Sequence, residues 1–180
     1  MRQLLILCTC MAPCFAGIDT LACSAIGTNG DAWSLGADST KVMAVARPDD
    51  DATSYIVTSG SKQFQSYTLS ASSAPSTAKL DSVVVISRLT RAGASTEKNY
   101  LYLGAASTAS GINPPPTGSW STFRNKLARP GGGSWALSDL TSLQVGVYNY
   151  SGSAGLKCTT LYVLAYWTPA SLGNFFQLFP

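Results

Sequence analysis

The chain has 180 residues and a mass of 18.8 kDa, enough for one ordinary hydrophobic core. Charged residues make up only 12% and the net charge is +3, so the basic residues are too few and too scattered to indicate nucleic-acid binding. No histidine is present, which excludes Ser-His-Asp and Cys-His catalytic groups and leaves zinc only cysteine or carboxylate ligands. We therefore expect a protein that is not an enzyme and uses no metal or cofactor.

The N-terminal segment, Met1 to Gly17, is strongly apolar. Arg2 and the following apolar run have the outline of a secretory signal, although Thr9 and Pro13 interrupt the run. No apolar run approaches the roughly 20 residues that cross a bilayer, so no membrane span is predicted. We favour an arm that is buried against a neighbouring subunit, because an apolar terminus is ordered only where it is covered. The side chains that this arm would use are Leu4, Leu5, Ile6, Leu7 and Phe15.

The cysteines are concentrated at the start of the chain. Cys8, Cys10, Cys14 and Cys23 precede a single distant Cys158. A disulfide scaffold would spread its cysteines through the core, and structural zinc sites use paired C-x2-C spacings that are missing here. We interpret the cysteines as reduced, small hydrophobic residues, with a disulfide among the first four as the alternative.

The sequence predicts three parts: an N-terminal arm and connector (1–35), a β-sandwich domain (36–169) and an apolar C-terminal tail (170–180). In the connector, Trp33 is expected to plug into the start of the sandwich. Leu80–Thr90 is apolar on both faces, as in a central strand, whereas Ala106–Gly118 contains three consecutive prolines and is expected to be an exposed loop. The predicted strands are Lys41–Ala46, Thr53–Thr58, Lys62–Leu69, Leu80–Thr90, Lys98–Ala105, Ser119–Ala128, Leu143–Val147 and Leu156–Trp167.

This pattern indicates an all-β fold, an antiparallel, jelly-roll-like β-sandwich of about eight strands with apolar N- and C-terminal arms. In the last strand, side chains alternate between faces. If Leu161, Val163, Ala165 and Trp167 point into the core, then Tyr162, Leu164 and Tyr166 point outward and must be covered, either by the same chain or by another subunit. The tail adds Phe175, Phe176 and Phe179, which we expect to dock on the domain or on a neighbour. Deletion of residues 1–26 is expected to leave a folded domain that no longer assembles.

Two short stretches stand out. In RPDDDATSYI, Arg47 to Ile56, three adjacent aspartates favour turn chemistry, since the alternate ligand spacing of an EF-hand is missing. In PGGGSWALSDLTSLQVGV, Pro130 to Val147, three glycines allow a tight turn, and Ser138 with Asp139 is a candidate N-cap for a short helical turn. Trp135, between the turn and the cap, is expected to anchor the core.

These stretches resemble the segments P-D-D-D-x-T-S-Y-I and G-x-W-T-x-x-D-L-x-x-L-x-x-G-V of small β-sandwich domains in tailed-bacteriophage virion proteins. The resemblance covers roughly Trp33 to Pro169. It implies a structural part of a virion, either a capsid decoration (cement) protein or a minor tail protein, that binds other virion subunits and forms a homo-oligomer. The residues that carry the resemblance are Asp49, Asp50, Asp51, Tyr55, Trp135, Asp139, Leu140 and Gly146.

Two other functions stay open. One is a glycan-binding or receptor-binding module, in which Trp120, Trp135 and loop tyrosines would stack on sugar rings. The other is a secreted bacterial surface protein, which the apolar N-terminus would fit. An enzyme is disfavoured, because no pair of carboxylates stands out among only nine acidic residues.

Overall fold

A computed structural model describes residues 16–36, 40–46, 54–152 and 155–170. These residues form ten strands, the helix α1 (Met43–Ala46) and a 3-10 helix (Leu137–Thr141). The strands are β1 (Gly17–Asp31), β2 (Ser34–Leu35), β3 (Ile56–Val57), β4 (Phe64–Leu69), β5 (Lys79–Arg91), β6 (Thr96–Leu103), β7 (Ala106–Ala109), β8 (Ser121–Leu127), β9 (Leu143–Ser151) and β10 (Leu156–Thr168). All the paired strands are antiparallel. The predicted all-β antiparallel fold is confirmed, with ten strands where about eight were expected.

The strands form two sheets that β1 joins. In the first sheet, β8, β5 and β10 lie side by side, and the first half of β1 and the short strands β3 and β2 continue it beyond β10. In the second sheet the order is the second half of β1, then β4, β9, β6 and β7. Buried side chains from both sheets belong to one hydrophobic core. The arrangement is therefore sandwich-like.

The predicted alternation of the core strands is confirmed. On β10, Leu161, Val163 and Ala165 are fully buried, and on β9 every second residue from Leu143 to Val147 is buried in the same core. Trp167 differs from the prediction because it is only half-buried. The pairing with β5 shifts by one residue immediately before Trp167, which ends the alternation.

Trp33 closes one end of this core, as predicted. Its side chain is 1% exposed, and its indole Nε1 donates a hydrogen bond to the backbone oxygen of Gln63 at 3.1 Å. A buried indole needs such an acceptor to avoid an unpaired N–H group. The connector is therefore attached to the domain at this residue.

Strand β1 changes the predicted boundary between arm and sandwich. Gly17–Ala22 pair with β10, and residues from Cys23 onward pair with β4. Leu21 and Cys23 belong to the core, so residues 17–35 are part of the folded domain. The pairing with β4 shifts register twice along β1, which interrupts the apolar alternation and hides the strand in the sequence. A deletion of residues 1–26 would remove more than half of β1, so we now expect it to disrupt the domain and not to leave it folded.

The segment Lys41–Ala46, predicted to be a strand, instead contains the helix α1. Thr40 Oγ1 accepts a hydrogen bond from the backbone N–H of Met43 at 3.1 Å, as an N-cap residue does. Ala44 and Val45 are then fully buried. Capping and burial therefore outweigh the β-propensity of a short apolar run.

Two other segments differ in extent from the prediction. The strand expected at Thr53–Thr58 is limited to β3, and the aspartates of the adjacent motif, Asp49, Asp50 and Asp51, lie outside the described residues. The proline-rich loop contains β7, and its Asn113 pairs with Glu97 through two backbone hydrogen bonds of 2.9 and 2.7 Å. That loop is therefore held against β6 at its centre.

Candidate interaction surface

The outer face of the first sheet carries the predicted partner-binding side chains of β10. Tyr162, Leu164 and Tyr166 alternate with the buried residues and are only half-buried. On β5, Val84 lies opposite Leu164 and Ile86 lies opposite Tyr162. These five residues form an apolar strip on the side of the sheet that faces away from the core, and we call it the β10 strip.

The β10 strip is covered in part by its own neighbours. Val84 and Ile86 are 5% and 4% exposed, yet neither belongs to the core between the sheets. Arg124 of β8 lies over the ring of Tyr166, with 5.7 Å from its guanidinium carbon to the ring centroid, and it donates a hydrogen bond to the Tyr166 hydroxyl. Ile18, which pairs with Tyr166 on the other side, is 58% exposed. The β10 strip and the adjacent Arg124 therefore place aliphatic, aromatic and cationic side chains together on the outer face of the first sheet.

The outer face of the second sheet carries an aromatic cluster that our sequence analysis did not predict. We call it the tyrosine face; it consists of Phe64, Tyr100, Tyr102, Tyr148 and Tyr150. Neighbouring rings lie 5.3 to 6.3 Å apart between centroids, mostly edge to face. The sequence signal is two Tyr-x-Tyr patterns, which place both tyrosines of each pair on one face of a strand. Only the pairing of β6 with β9 brings the two patterns together.

Gly146 is required by the tyrosine face. A Cβ atom at this position would lie 2.4 Å from Cζ of Phe64 and 2.9 Å from the backbone oxygen of Gln65. The ring of Phe64 therefore occupies the space that any larger residue would fill. This is a physical reason for a glycine at this position of the stretch Pro130 to Val147.

The rim of the tyrosine face is fixed by hydrogen bonds to the part of β1 where its register against β4 shifts, between Ile26 and Asp31. Gln144 Oε1 accepts from the backbone N–H of Thr28 at 2.9 Å and from Nδ2 of Asn29 at 3.2 Å. The backbone N–H of Asn29 also donates to Ser66 Oγ at 3.1 Å. The surface beside the rings is therefore rich in amide and hydroxyl groups that are held in place.

The glycine-rich motif forms a braced loop. Arg129 donates two hydrogen bonds to Asp139, from Nε to Oδ2 at 2.8 Å and from Nη2 to Oδ1 at 3.0 Å. These hydrogen bonds from Arg129 are the main reason that the pKa of Asp139 lies below its usual value. Ala136 is the N-cap residue of the 3-10 helix, and its N–H donates to Asp139 Oδ2 at 2.9 Å. Asp139 therefore braces the turn from inside the helix, and the predicted N-cap role is wrong.

The other residues of the two motifs have packing roles. Leu140 is buried in the core, and Trp135 is half-buried and packs against it. Tyr55 is half-buried, with Nζ of Lys157 4.1 Å from its ring centroid. The motif residues that the structure describes therefore support the fold and do not form one exposed site.

A polar cluster connects the two sheets inside the sandwich. Asn99 of β6 accepts hydrogen bonds at its Oδ1 from Ser87 Oγ at 3.1 Å and from Asn125 Nδ2 at 2.7 Å. Asn99 Nδ2 donates to one carboxylate oxygen of Glu97, and Asn113 Nδ2 donates to the other at 2.6 Å. Glu97 is fully buried, and this burial raises its pKa to about 8. The carboxyl group therefore binds its proton more tightly than an exposed glutamate does.

Metal ligands, reactive thiols and a cleft with acid or base groups are the features that could indicate catalysis. No group of three His, Cys, Asp or Glu side chains in the described ranges is arranged to hold a metal ion. Cys23 and Cys158 are free and buried, and burial raises the pKa of both thiols, which disfavours the reactive thiolate form. A cleft of about 610 Å³ lies between the β4–β5 loop and the 3-10 helix, and the side chains that line it are hydroxyl or apolar groups. Such a lining supplies no general acid or base.

Several predicted partner-binding residues lie outside the described ranges. They are Leu4, Leu5, Ile6, Leu7 and Phe15 of the N-terminal arm and Phe175, Phe176 and Phe179 of the tail. Within the described part of the chain, no helix has the length and apolar character needed to cross a membrane. Of the predicted partner-binding set, the structure therefore places only the β10 residues, and it brings them together on one face.

Comparison with known proteins identifies no family. No protein-family model matches the chain, and no curated protein shows significant sequence similarity to it.

Proposed function

We propose that the protein is a non-enzymatic structural component of a bacteriophage virion, a capsid decoration or tail-associated protein that binds neighbouring subunits. The observation that carries this proposal is the β10 strip. It places apolar side chains on a sheet face that points away from the protein's own core. The resemblance of two motifs to phage virion domains is the reason for proposing that the bound neighbours are subunits of a virus particle.

The composition of the β10 strip supports protein binding. Protein interfaces are enriched in aromatic residues and arginine around a desolvated apolar centre, with polar groups at the rim. Tyr166 and Arg124 supply an ordered aromatic and cationic pair, Leu164 supplies the apolar centre, and Lys126 lies at the edge of the same surface. A subunit seated there would complete the burial of β5 and β10, and a stable contact needs about 800 Å² from each partner. The apolar arms would add to this area.

The proposal is tested first by locating the protein. Quantitative mass spectrometry of purified phage particles should detect this chain as a component. A high copy number would indicate a capsid or tail-tube position, and a few copies would indicate the tail tip. Absence of the chain from particles of a phage that encodes it would refute the proposal.

The role of the β10 strip is tested by Leu164→Glu. Because Leu164 lies on the outer face, we expect the variant to keep its circular dichroism spectrum and melting temperature within a few degrees. Incorporation into particles should fall at least about tenfold, since a charge would be buried without a partner. Thr77→Glu, at an exposed turn residue before β5, adds the same charge and should incorporate normally. Normal incorporation of Leu164→Glu would show that the β10 strip is not the contact surface.

A further inference from the structure

We propose that the tyrosine face is a binding site for a sugar chain, with pyranose rings stacked on the tyrosines. This surface lies on the opposite sheet from the β10 strip, so the inference does not depend on the virion assignment.

The rings are organised before any ligand arrives. Tyr100 and Tyr102 lie 5.9 Å apart with planes only 17° from parallel. Phe64 packs edge to face against both, at 5.4 and 5.3 Å, and Tyr148 packs edge to face against Tyr100 at 5.8 Å. Rings fixed in this way lose little conformational entropy when a ligand binds, which favours affinity.

The hydroxyl groups of the four tyrosines can bind a ligand. Within the described part of the chain, none of them is engaged in a hydrogen bond to another residue. Burial raises the pKa of Tyr102 to about 12 and also raises that of Tyr100, so both hydroxyls keep their protons. A tyrosine combines an apolar ring with a polar tip, which matches a sugar ring with its C–H faces and hydroxyl edges.

The other outward residues of this sheet favour a sugar over a protein or a nucleic acid as the ligand. The outward residues of β4, β6, β7 and β9 include no Leu, Ile, Val or Met; they are Phe64, Ser66, Thr68, Lys98, Tyr100, Tyr102, Ser107, Ala109, Gln144, Gly146, Tyr148 and Tyr150. A protein interface of this size would be expected to carry aliphatic residues at its centre, as the β10 strip does. Single-stranded nucleic acid would require a groove lined by several cations.

Lys98 defines one end of the proposed site. Its Nζ lies 4.2 Å from the ring centroid of Tyr150, and Tyr150 is the most exposed member of the cluster, at 41%. The outward residues of these four strands include no carboxylate. The face therefore accepts either a neutral sugar or a uronic acid whose carboxylate contacts Lys98.

The experiment titrates the full-length protein with each of two hexasaccharides, cellohexaose and hexagalacturonic acid. Binding is measured by isothermal titration calorimetry. We expect at least one to bind, and binding of only the acidic probe would identify a charge contribution from Lys98. Tyr150→Ala should weaken binding about tenfold, because one stacking contact is lost. Tyr166→Ala, which removes a tyrosine from the β10 strip, is the matched control and should bind normally. Circular dichroism verifies that both variants are folded.

Three results would overturn the proposal. The first is no heat of binding from either probe at millimolar concentration, because ring stacking tolerates many sugars. The second is equal weakening by Tyr150→Ala and Tyr166→Ala. The third is loss of particle incorporation in Tyr150→Ala, which would identify the tyrosine face as a protein contact. Because Leu164→Glu tests incorporation through the other sheet, failure of one proposal can be distinguished from failure of the other.

Discussion

The buried carboxyl group of Glu97 predicts an unusual dependence of stability on pH. Glu97 is fully buried, and its hydrogen-bond partners are the neutral amides of Asn99 and Asn113. The charge of Glu97 in turn acts on Cys158 of β10, in the first sheet, and is one cause of the raised pKa of that thiol. A cation that would stabilise the carboxylate is not among these partners.

The raised pKa of Glu97 determines whether stability rises or falls with pH. The pKa of Glu97 is about 8 in the folded protein and 4.5 in its ordinary state. Between these values the folded state keeps a proton that the unfolded chain releases, so the free energy of unfolding falls as pH rises. One pH unit inside this window corresponds to about 1.4 kcal/mol, and the change from pH 5 to pH 8 corresponds to about 4 kcal/mol.

The test is Glu97→Gln, which cannot titrate. The new amide can accept the hydrogen bond from Asn99 and donate to Asn113 if the Asn113 amide turns over; Asn99 itself is fixed by Ser87 and Asn125. We expect urea unfolding to show that the wild type loses up to about 4 kcal/mol of stability between pH 5 and pH 8 that the variant keeps. The difference in free energy of unfolding between variant and wild type should therefore shift in favour of the variant as pH rises.

The control for net charge is Asp81→Asn, which removes an exposed carboxylate on β5. Its stability should follow that of the wild type across this pH range. If the Glu97→Gln and wild-type curves also run parallel from pH 5 to pH 8, the carboxyl group of Glu97 titrates as an ordinary glutamate, and the reasoning from its burial is wrong.

Three other changes test the packing. Gly146→Ala should lower the free energy of unfolding by about 1–3 kcal/mol, because the new Cβ displaces Phe64. The control is Gly111→Ala, which should have little effect on the melting temperature because a Cβ meets open space there. Asp139→Ala should lower the free energy of unfolding by about 1–3 kcal/mol, because it leaves the N–H of Ala136 and the Nε and Nη2 groups of Arg129 without their acceptor. An unchanged melting temperature would contradict the braced loop. A chain lacking residues 1–15 should keep its circular dichroism spectrum, whereas a chain lacking residues 1–31 should not, because β1 is part of both sheets.

The sequence predicts the strands that alternate regularly and misses those that do not. Strand β5 has apolar residues on both faces over its central length, so both its position and its central place in the sheet can be inferred before the structure is known. Strand β1 shifts register twice against β4, and a pattern of period two cannot survive such shifts. The helix α1 depends on the cap at Thr40, which a short apolar run does not reveal.

The β10 strip can be predicted from the sequence, whereas the tyrosine face cannot. Tyr162, Leu164 and Tyr166 lie on one strand, so alternation alone predicts that they share a face. The tyrosine face combines β4, β6 and β9, and its members meet only because Tyr100 lies beside Gly146 and Tyr148 lies beside Lys98. Register between distant strands depends on tertiary packing, which one sequence without its structure does not fix.

The central position of β10 determines when the protein can fold during synthesis. β10 contains the last described strand residues, yet it lies between β5 and the first half of β1. While the ribosome is still producing the preceding strands, β1 and β5 have no common neighbour in the first sheet, and the edge of β5 that pairs with β10 is open. We expect the nascent chain to stay unfolded until β10 emerges, and then to fold slowly because its contacts join residues distant in the sequence.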